Sequence, residues 1–151
     1  MNRRTSLRLT RAKTAAPPPE LFAEAFERFA PLGEPIICVM PSAVVSGTVR
    51  SATVGLQMAH ERGVPEDLDV RIIDTRLIAS PVATLLRLAA GWAEQGADAD
   101  TIEARIREMG ARCRIYFMVD TLKYLAMGGR IGGASALLGS VLQVKPVLTL
   151  E

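Results

Sequence analysis

The chain has 151 residues, 49% of them hydrophobic and 23% charged, with a formal net charge of +2. That is long enough for one cored domain and short for two, and near-balanced charge excludes the basic surface that nucleic-acid binding needs. The charge is unevenly placed, because Met1 to Lys13 holds five basic residues and no acid, leaving −3 for the remainder.

An acid-free leader of this kind suits organelle targeting or a phosphate-seeking arm, but it is more commonly a solvated, flexible chain end. It lacks the apolar core of a secretory signal. From there the elements alternate. Leu21 to Phe29 is expected as a helix, with Phe22, Ala25, Phe26 and Phe29 on one stripe and a Glu24–Arg28 pair on the other. Pro17 to Pro19 prevent an earlier start. Ile36 to Met40 is an apolar run that reads as a buried strand. A helix from Gly47 to Arg62 should turn Val49, Ala52, Leu56 and Ala59 inward and stop at Gly63. Asp69 to Asp74 reads as the next strand.

Ser80-Pro81 has the form of a cap followed by a first-turn proline, opening a helix with Val82, Leu85, Leu86 and Ala89 buried and Gly96 at its end. Asp100 and Glu103 have the spacing of a capping box, before a helix with Ile102, Ile106 and Met109 inside. Strand Ile115–Val119, a short helix Thr121–Met127, an apolar helix Ala134–Gln143 and strand Val147–Leu150 complete the chain. Strands separated by helices predict an α/β fold with a mostly parallel sheet flanked by helices. The expected division is a leader over 1–13, an α/β lobe over 14–114, and the start of a second lobe over 115–151.

No stretch is apolar for long enough to span a membrane, since Gly132, Gly133, Gly139, Lys145 and Pro146 interrupt the most hydrophobic region. Cys38 and Cys113 have no metal-ligand spacing and read as reduced residues of a cytoplasmic protein. His60 falls on the polar side of its helix beside Gln57 and Glu61, a poor place for a catalytic base. Trp92 is best read as core or rim packing.

Two stretches carry chemistry. In the first, strand Ile36–Met40 runs into Pro41-Ser42 and then Ser46-Gly47-Thr48 at a helix start. Unpaired N–H groups and the positive dipole end favour an anion there. Gly47 permits close approach, and Ser42, Ser46 and Thr48 can donate to a carboxylate or phosphate. The plainer reading is that Ser46 caps the helix. The second is Gly128-Gly-Arg-Ile-Gly-Gly133. It follows a helix and lacks the lysine and hydroxyl of a P-loop, so it is neither that nor a dinucleotide fingerprint. Arg130 between two glycine pairs is placed either to meet a phosphate bidentately or to tie two lobes together.

Ser46-Gly-Thr-Val-Arg-Ser-Ala52 resembles the hydroxyl-rich helix start of the DegV family of bacterial fatty acid-binding proteins. Thr14-Ala-Ala-Pro17 resembles a degraded Thr-Ser-Gln-Pro motif of that family, and Ile72-Ile-Asp-Thr75 its strand ending in Asp-Ser or Asp-Thr. The fullest match is Leu122-Lys-Tyr-Leu-Ala-Met-Gly-Gly-Arg-Ile131, continuing through Ala134, Leu137, Gly139 and Lys145-Pro146. The resemblance implies a long-chain fatty acid between two lobes, its carboxylate held by Thr14, Ser42, Ser46, Gly47 and Thr48. Asp74 and Thr75 would support that loop. Gly128, Gly129 and Arg130 would face the phosphate or an ATP-binding fatty acid kinase subunit that forms an acyl phosphate. In that role the chain is a lipid-carrying binder without catalysis, metal or cofactor.

Three departures bear on this. Ala15-Ala16 stand where the family has Ser-Gln, and Pro41-Ser42-Ala43 keeps one hydroxyl of a serine pair. The family's opening strand and most of its second lobe, with a histidine near the headgroup, have no counterpart, so a chain truncated at both ends is expected. Two other classes stay open: an enzyme acting on a phosphorylated or acylated metabolite at Ser46–Thr48, and an interaction or homodimer-forming module that binds no lipid.

Overall fold

The computed structural model describes residues 14–137 and 145–150. The basic leader, Gly139 and most of the expected helix Ala134–Gln143 lie outside the described residues. Pro19 opens the first helix itself, at the N-terminal position where its missing N–H costs nothing, and α1 covers Pro19–Phe29. A 3₁₀ turn, Ala30–Leu32, leads through the left-handed Gly33 to β1, Ile36–Met40. Then come α2 (Thr48–Glu61), β2 (Val70–Asp74), α3 (Ser80–Glu94) and α4 (Ala99–Arg112). The chain continues with β3 (Tyr116–Met118), α5 (Lys123–Met127), a 3₁₀ stretch Gly132–Leu137 and β4 (Val147–Thr149).

β1 and β2 pair in parallel, with Ile36 opposite Val70 and Met40 opposite Asp74. Because strand side chains alternate, the pair feeds two cores. Ile37, Val39 and Ile73 meet Leu77, Leu85, Ala89, Ile102 and Ile106 of the α3–α4 side. Ile36, Cys38 and Val70 meet Ala23, Phe26, Leu56 and Ala59 of the α1–α2 side. The result is a sheet with helices on both faces, as an α/β pattern requires. The last pair departs from that pattern. β3 and β4 run antiparallel, Met118 opposite Val147 and Tyr116 opposite Thr149, so the second sheet is not a continuation of the parallel one.

Several local expectations are corrected by packing. α1 buries Ala23 with Phe26, while Phe29 is exposed beneath the Arg28 guanidinium, 5.6 Å from its ring centroid. Glu24 and Arg28 do not pair; among the described residues the ion pair from α1 is Glu27 with Arg62, at 3.2 Å. Leu86 is 51% exposed and Met109 40% exposed, because α3 and α4 face each other and the sheet through narrower stripes. α3 is preceded by Ala79, with no side-chain cap from Ser80. The cap of α4 is Asp98, which accepts from the Thr101 N–H at 2.7 Å, and that bond holds its carboxyl below the usual range. Asp100 and Glu103 instead receive Arg71 of β2, at 2.6 and 3.3 Å, joining strand to helix.

One glycine decides how closely α1 and α2 approach. A Cβ on Gly55 would lie 2.5 Å from the Phe22 Cβ and 2.6 Å from the Pro19 carbonyl oxygen. No side chain fits there.

Candidate functional site

The parallel register sets β1 and β2 to end together, so the loops after Met40 and Asp74 share one edge of the sheet. Hydrogen bonds lock the two loops. The Thr75 hydroxyl donates to the Met40 carbonyl at 2.8 Å and accepts the Leu77 N–H at 3.3 Å. Ser42 N–H donates to the Leu77 carbonyl at 2.8 Å. Asp74 takes the N–H of Arg76 on one oxygen, at 2.8 Å, and the N–H of Ala43 on the other, at 3.3 Å. Both carboxylate oxygens are thereby used in shaping the two loops.

Ser42 is 1% exposed, and its hydroxyl accepts the Val44 N–H at 3.3 Å. It is a pillar of the loop, lying beneath the surface. Ser46 and Thr48 form the hydroxylated helix start: their oxygens are 2.7 Å apart, and the Ser46 oxygen also accepts the Thr48 N–H at 3.3 Å. Thus Ser46 completes the first turn of α2 as a capping side chain does, while Gly47 occupies the N-cap position. Gly47 faces the segment that carries Thr14, since a Cβ there would lie 3.5 Å from the Ala16 Cβ.

Beside this loop lies a cavity of about 900 Å³. Thr14, Ser46, Arg130 and Thr149 are its polar lining residues, and Val45, Ile78, Phe117, Leu125, Ile131 and Leu148 are among its apolar walls. Phe117 and Leu148 are a cross-strand pair on the inward face of β3–β4. Thr75, Asp74, Ser42 and Thr48 do not line it. The size falls within the roughly 300–1,000 Å³ of ordinary small-molecule pockets.

Arg130 reaches across from the glycine-rich turn. Gly129 adopts a positive φ of 69°, and the Arg130 Nε then donates to the Val45 carbonyl at 2.7 Å. A shallower cleft of about 440 Å³ shares Val45 and Arg130 with the cavity, and Arg130 and Arg50 are its charged residues among Ala43–Gly47, Gly128 and Gly129. Arg50 was not singled out in the sequence, where it reads as one more polar position of α2. Its signal is its place two residues into a helix that begins at the hydroxyl loop. Among the described residues, no three His, Cys, Asp or Glu side chains cluster as a metal site would need. His60 Nδ1 lies 3.0 Å from the Val64 carbonyl, closing the end of α2 far from this edge. No described helix is long and apolar enough to cross a membrane.

A family model, DegV, described as an uncharacterised protein family, matches residues 7–151. A DegV domain-containing protein of Streptomyces coelicolor is 44% identical over 139 residues, which is 91% of this chain and 47% of that protein. One from Clostridium acetobutylicum is 31% identical across 92% of this chain and 48% of its own length. Among solved structures, a DegV family protein from Thermus thermophilus, described for its fatty acid binding, superposes with a TM-score of 0.77 at 34% identity over 92% of this chain and 47% of that one. DegV of Bacillus subtilis, a fatty acid binding protein, gives 0.74 at 29% identity, over 89% of this chain and 46% of its own. A stearic acid-binding protein from Eubacterium ventriosum gives 0.75 at 30% identity, over 92% and 47%. The chain spans about half the length of the relatives it matches. With a hydroxylated helix start, a Gly-Gly-Arg turn folded onto it and a family match that begins at residue 7, the chain belongs to the DegV family.

Proposed function

We propose that this chain binds a long-chain fatty acid, with the carboxylate at Thr14, Ser46 and the start of α2 and the acyl chain in the cavity beside it. The observation that carries this reading is the cavity itself: largely apolar walls, with Thr14, Ser46 and Arg130 among its four polar lining residues and Thr149 the fourth. Each buried methylene contributes about 0.8 kcal/mol, and each hydrogen bond to the charged carboxylate roughly 1.5–3 kcal/mol. The chain therefore dominates affinity and the hydroxyls orient the ligand. Ser42, Asp74 and Thr75 act through the loops they lock, and Gly47 keeps the helix start open. Relatives of solved structure that bind fatty acids support the ligand class.

In the same reading the protein is a lipid carrier and not a catalyst. Gly128, Gly129 and Arg130, with Arg50 across the shallow cleft, form the face offered to an incoming phosphoryl group and to an ATP-binding kinase subunit. Native mass spectrometry of protein purified from cells tests the binding directly. A bound species with the mass of a fatty acid is expected. An empty chain or empty dimer that also fails to bind a fluorescent fatty acid in titration would overturn the reading.

A further inference from the structure

Among the described residues, two that are not glycine have left-handed backbone, and they stand three positions apart on the loop after β2. Arg76 has φ 56°, and Ala79 has φ 57° with ψ −139°, a region glycine normally fills. Such strain persists only where the surroundings over-determine the backbone, and it gathers where a side chain must be held. Between them lie only Leu77 and Ile78. Leu77 is buried against Ile73, Leu85 and Ile106, its N–H is bound to Thr75 and its carbonyl to Ser42. Ile78 is the next residue, and it lines the 900 Å³ cavity that Val44, Val45 and Ser46 also line, on a loop held to theirs by the Ser42 N–H at the Leu77 carbonyl. Its branched Cβ leaves few χ1 states, so neither backbone nor side chain can retract.

Resting on the fatty-acid reading above, we propose that Ile78 is a selectivity residue: a rigid wall, held by the strained loop, that sets the cross-section of the acyl chain next to its carboxylate. Straight chains pass this wall; chains carrying a methyl branch near the carboxylate meet it. The glycine-rich wall at Gly129, Gly132 and Gly133 has no side chains with which to make that distinction.

The test compares dissociation constants for palmitic acid and its β-methyl-branched analogue. The unaltered chain should prefer palmitic acid by about tenfold or more, the cost of one misplaced methyl group in a shaped pocket. Ile78→Ala should bring the two within about twofold of each other while palmitic acid still binds. Ala79→Gly, which removes strain without touching the wall, should raise Tm by about 2–4 °C and narrow the preference as well. An unchanged ratio in both variants, or a lower Tm in Ala79→Gly, would overturn the proposal with fatty-acid binding left standing. A chain that binds neither acid would overturn the fatty-acid reading itself and the selectivity role with it.

Discussion

The Arg130 Nε and the Val45 carbonyl meet at 2.7 Å across 85 positions of sequence. This one bond ties the glycine-rich turn to the hydroxyl loop, and both of its residues line the apolar cavity as well as the cleft that Arg50 lines. It also changes what substitution of Arg130 should do. From sequence, Arg130 is placed either to meet a phosphate or to tie two lobes together. With the side chain fastened to the loop that carries Ser46, its loss should affect fatty acid binding as well. Arg130→Ala should weaken fatty acid affinity by roughly ten- to a hundredfold, the 1.5–3 kcal/mol net value of one charge-assisted hydrogen bond. Arg130→Lys should recover little, because it lacks the planar fork. Fluorescent fatty acid titration checks this, and an unchanged affinity would return Arg130 to an outward role alone.

The second prediction concerns the paired hydroxyls. Ser46→Ala with Thr48→Val removes both oxygens of the 2.7 Å contact. Affinity for a fatty acid should fall by about tenfold or more, while stability drops by only about 1 kcal/mol, the value of the lost helix-end bond. Binding is read by titration and stability by a denaturant melt. A large stability loss with affinity retained in the folded fraction would assign these residues to capping alone.

Gly55 offers a test of the α1–α2 contact that is independent of ligand. Alanine is favoured over glycine inside a helix by about 1 kcal/mol, yet here its Cβ would meet Phe22 at 2.5 Å and Pro19 at 2.6 Å. Overpacking should win, leaving Gly55→Ala less stable by about 1–3 kcal/mol in urea unfolding. A neutral or stabilised variant would show that the helices part easily.

Cys38 gives a pH signature. Burial pushes its thiol up from the ordinary 9.0 to about 11. The folded chain therefore holds this proton more tightly than the unfolded chain. The associated stability is fully present below pH 9 and is lost as pH rises from about 9 to about 11. Its size is at most about 2 kcal/mol, since the side chain is only partly shielded from solvent. Between these pH values the original chain should lose more stability than Cys38→Ala, and parallel curves would contradict the burial account.

What could be read from sequence was the order of elements and the two loops; what could not was rotation and partnership. The strand pair and every helix from α1 to α5 were foreseen to within a few residues, because the apolar periods and the Gly and Pro stops are local. The depth of Phe29, Leu86 and Met109 was misjudged: periodicity names a stripe, but tertiary packing decides how wide a stripe is covered. Asp100 and Glu103 have capping-box spacing and serve Arg71 instead, since a charged strand residue 29 positions away cannot be weighed from local pattern. At the site, Ser46 and Thr48 come together as their spacing suggests. The buried setting of Ser42, the contribution of Arg50 and the strain at Ala79 come from loops meeting across the sheet edge, which no local signal announces.

β3 and β4 are three residues each, and their inward pair, Phe117 and Leu148, is one wall of the cavity. A two-stranded sheet this short has little stability of its own in water. The wall should therefore gain order from an acyl chain that fills the space behind it. Amide exchange makes this visible: the β3–β4 amides should exchange fast in the empty chain and slow markedly once an acyl chain lies against Phe117 and Leu148, while those of β1 and β2 stay as they were. In this molecule occupancy of the cavity can be read in the backbone of its weakest sheet, without a label on either partner.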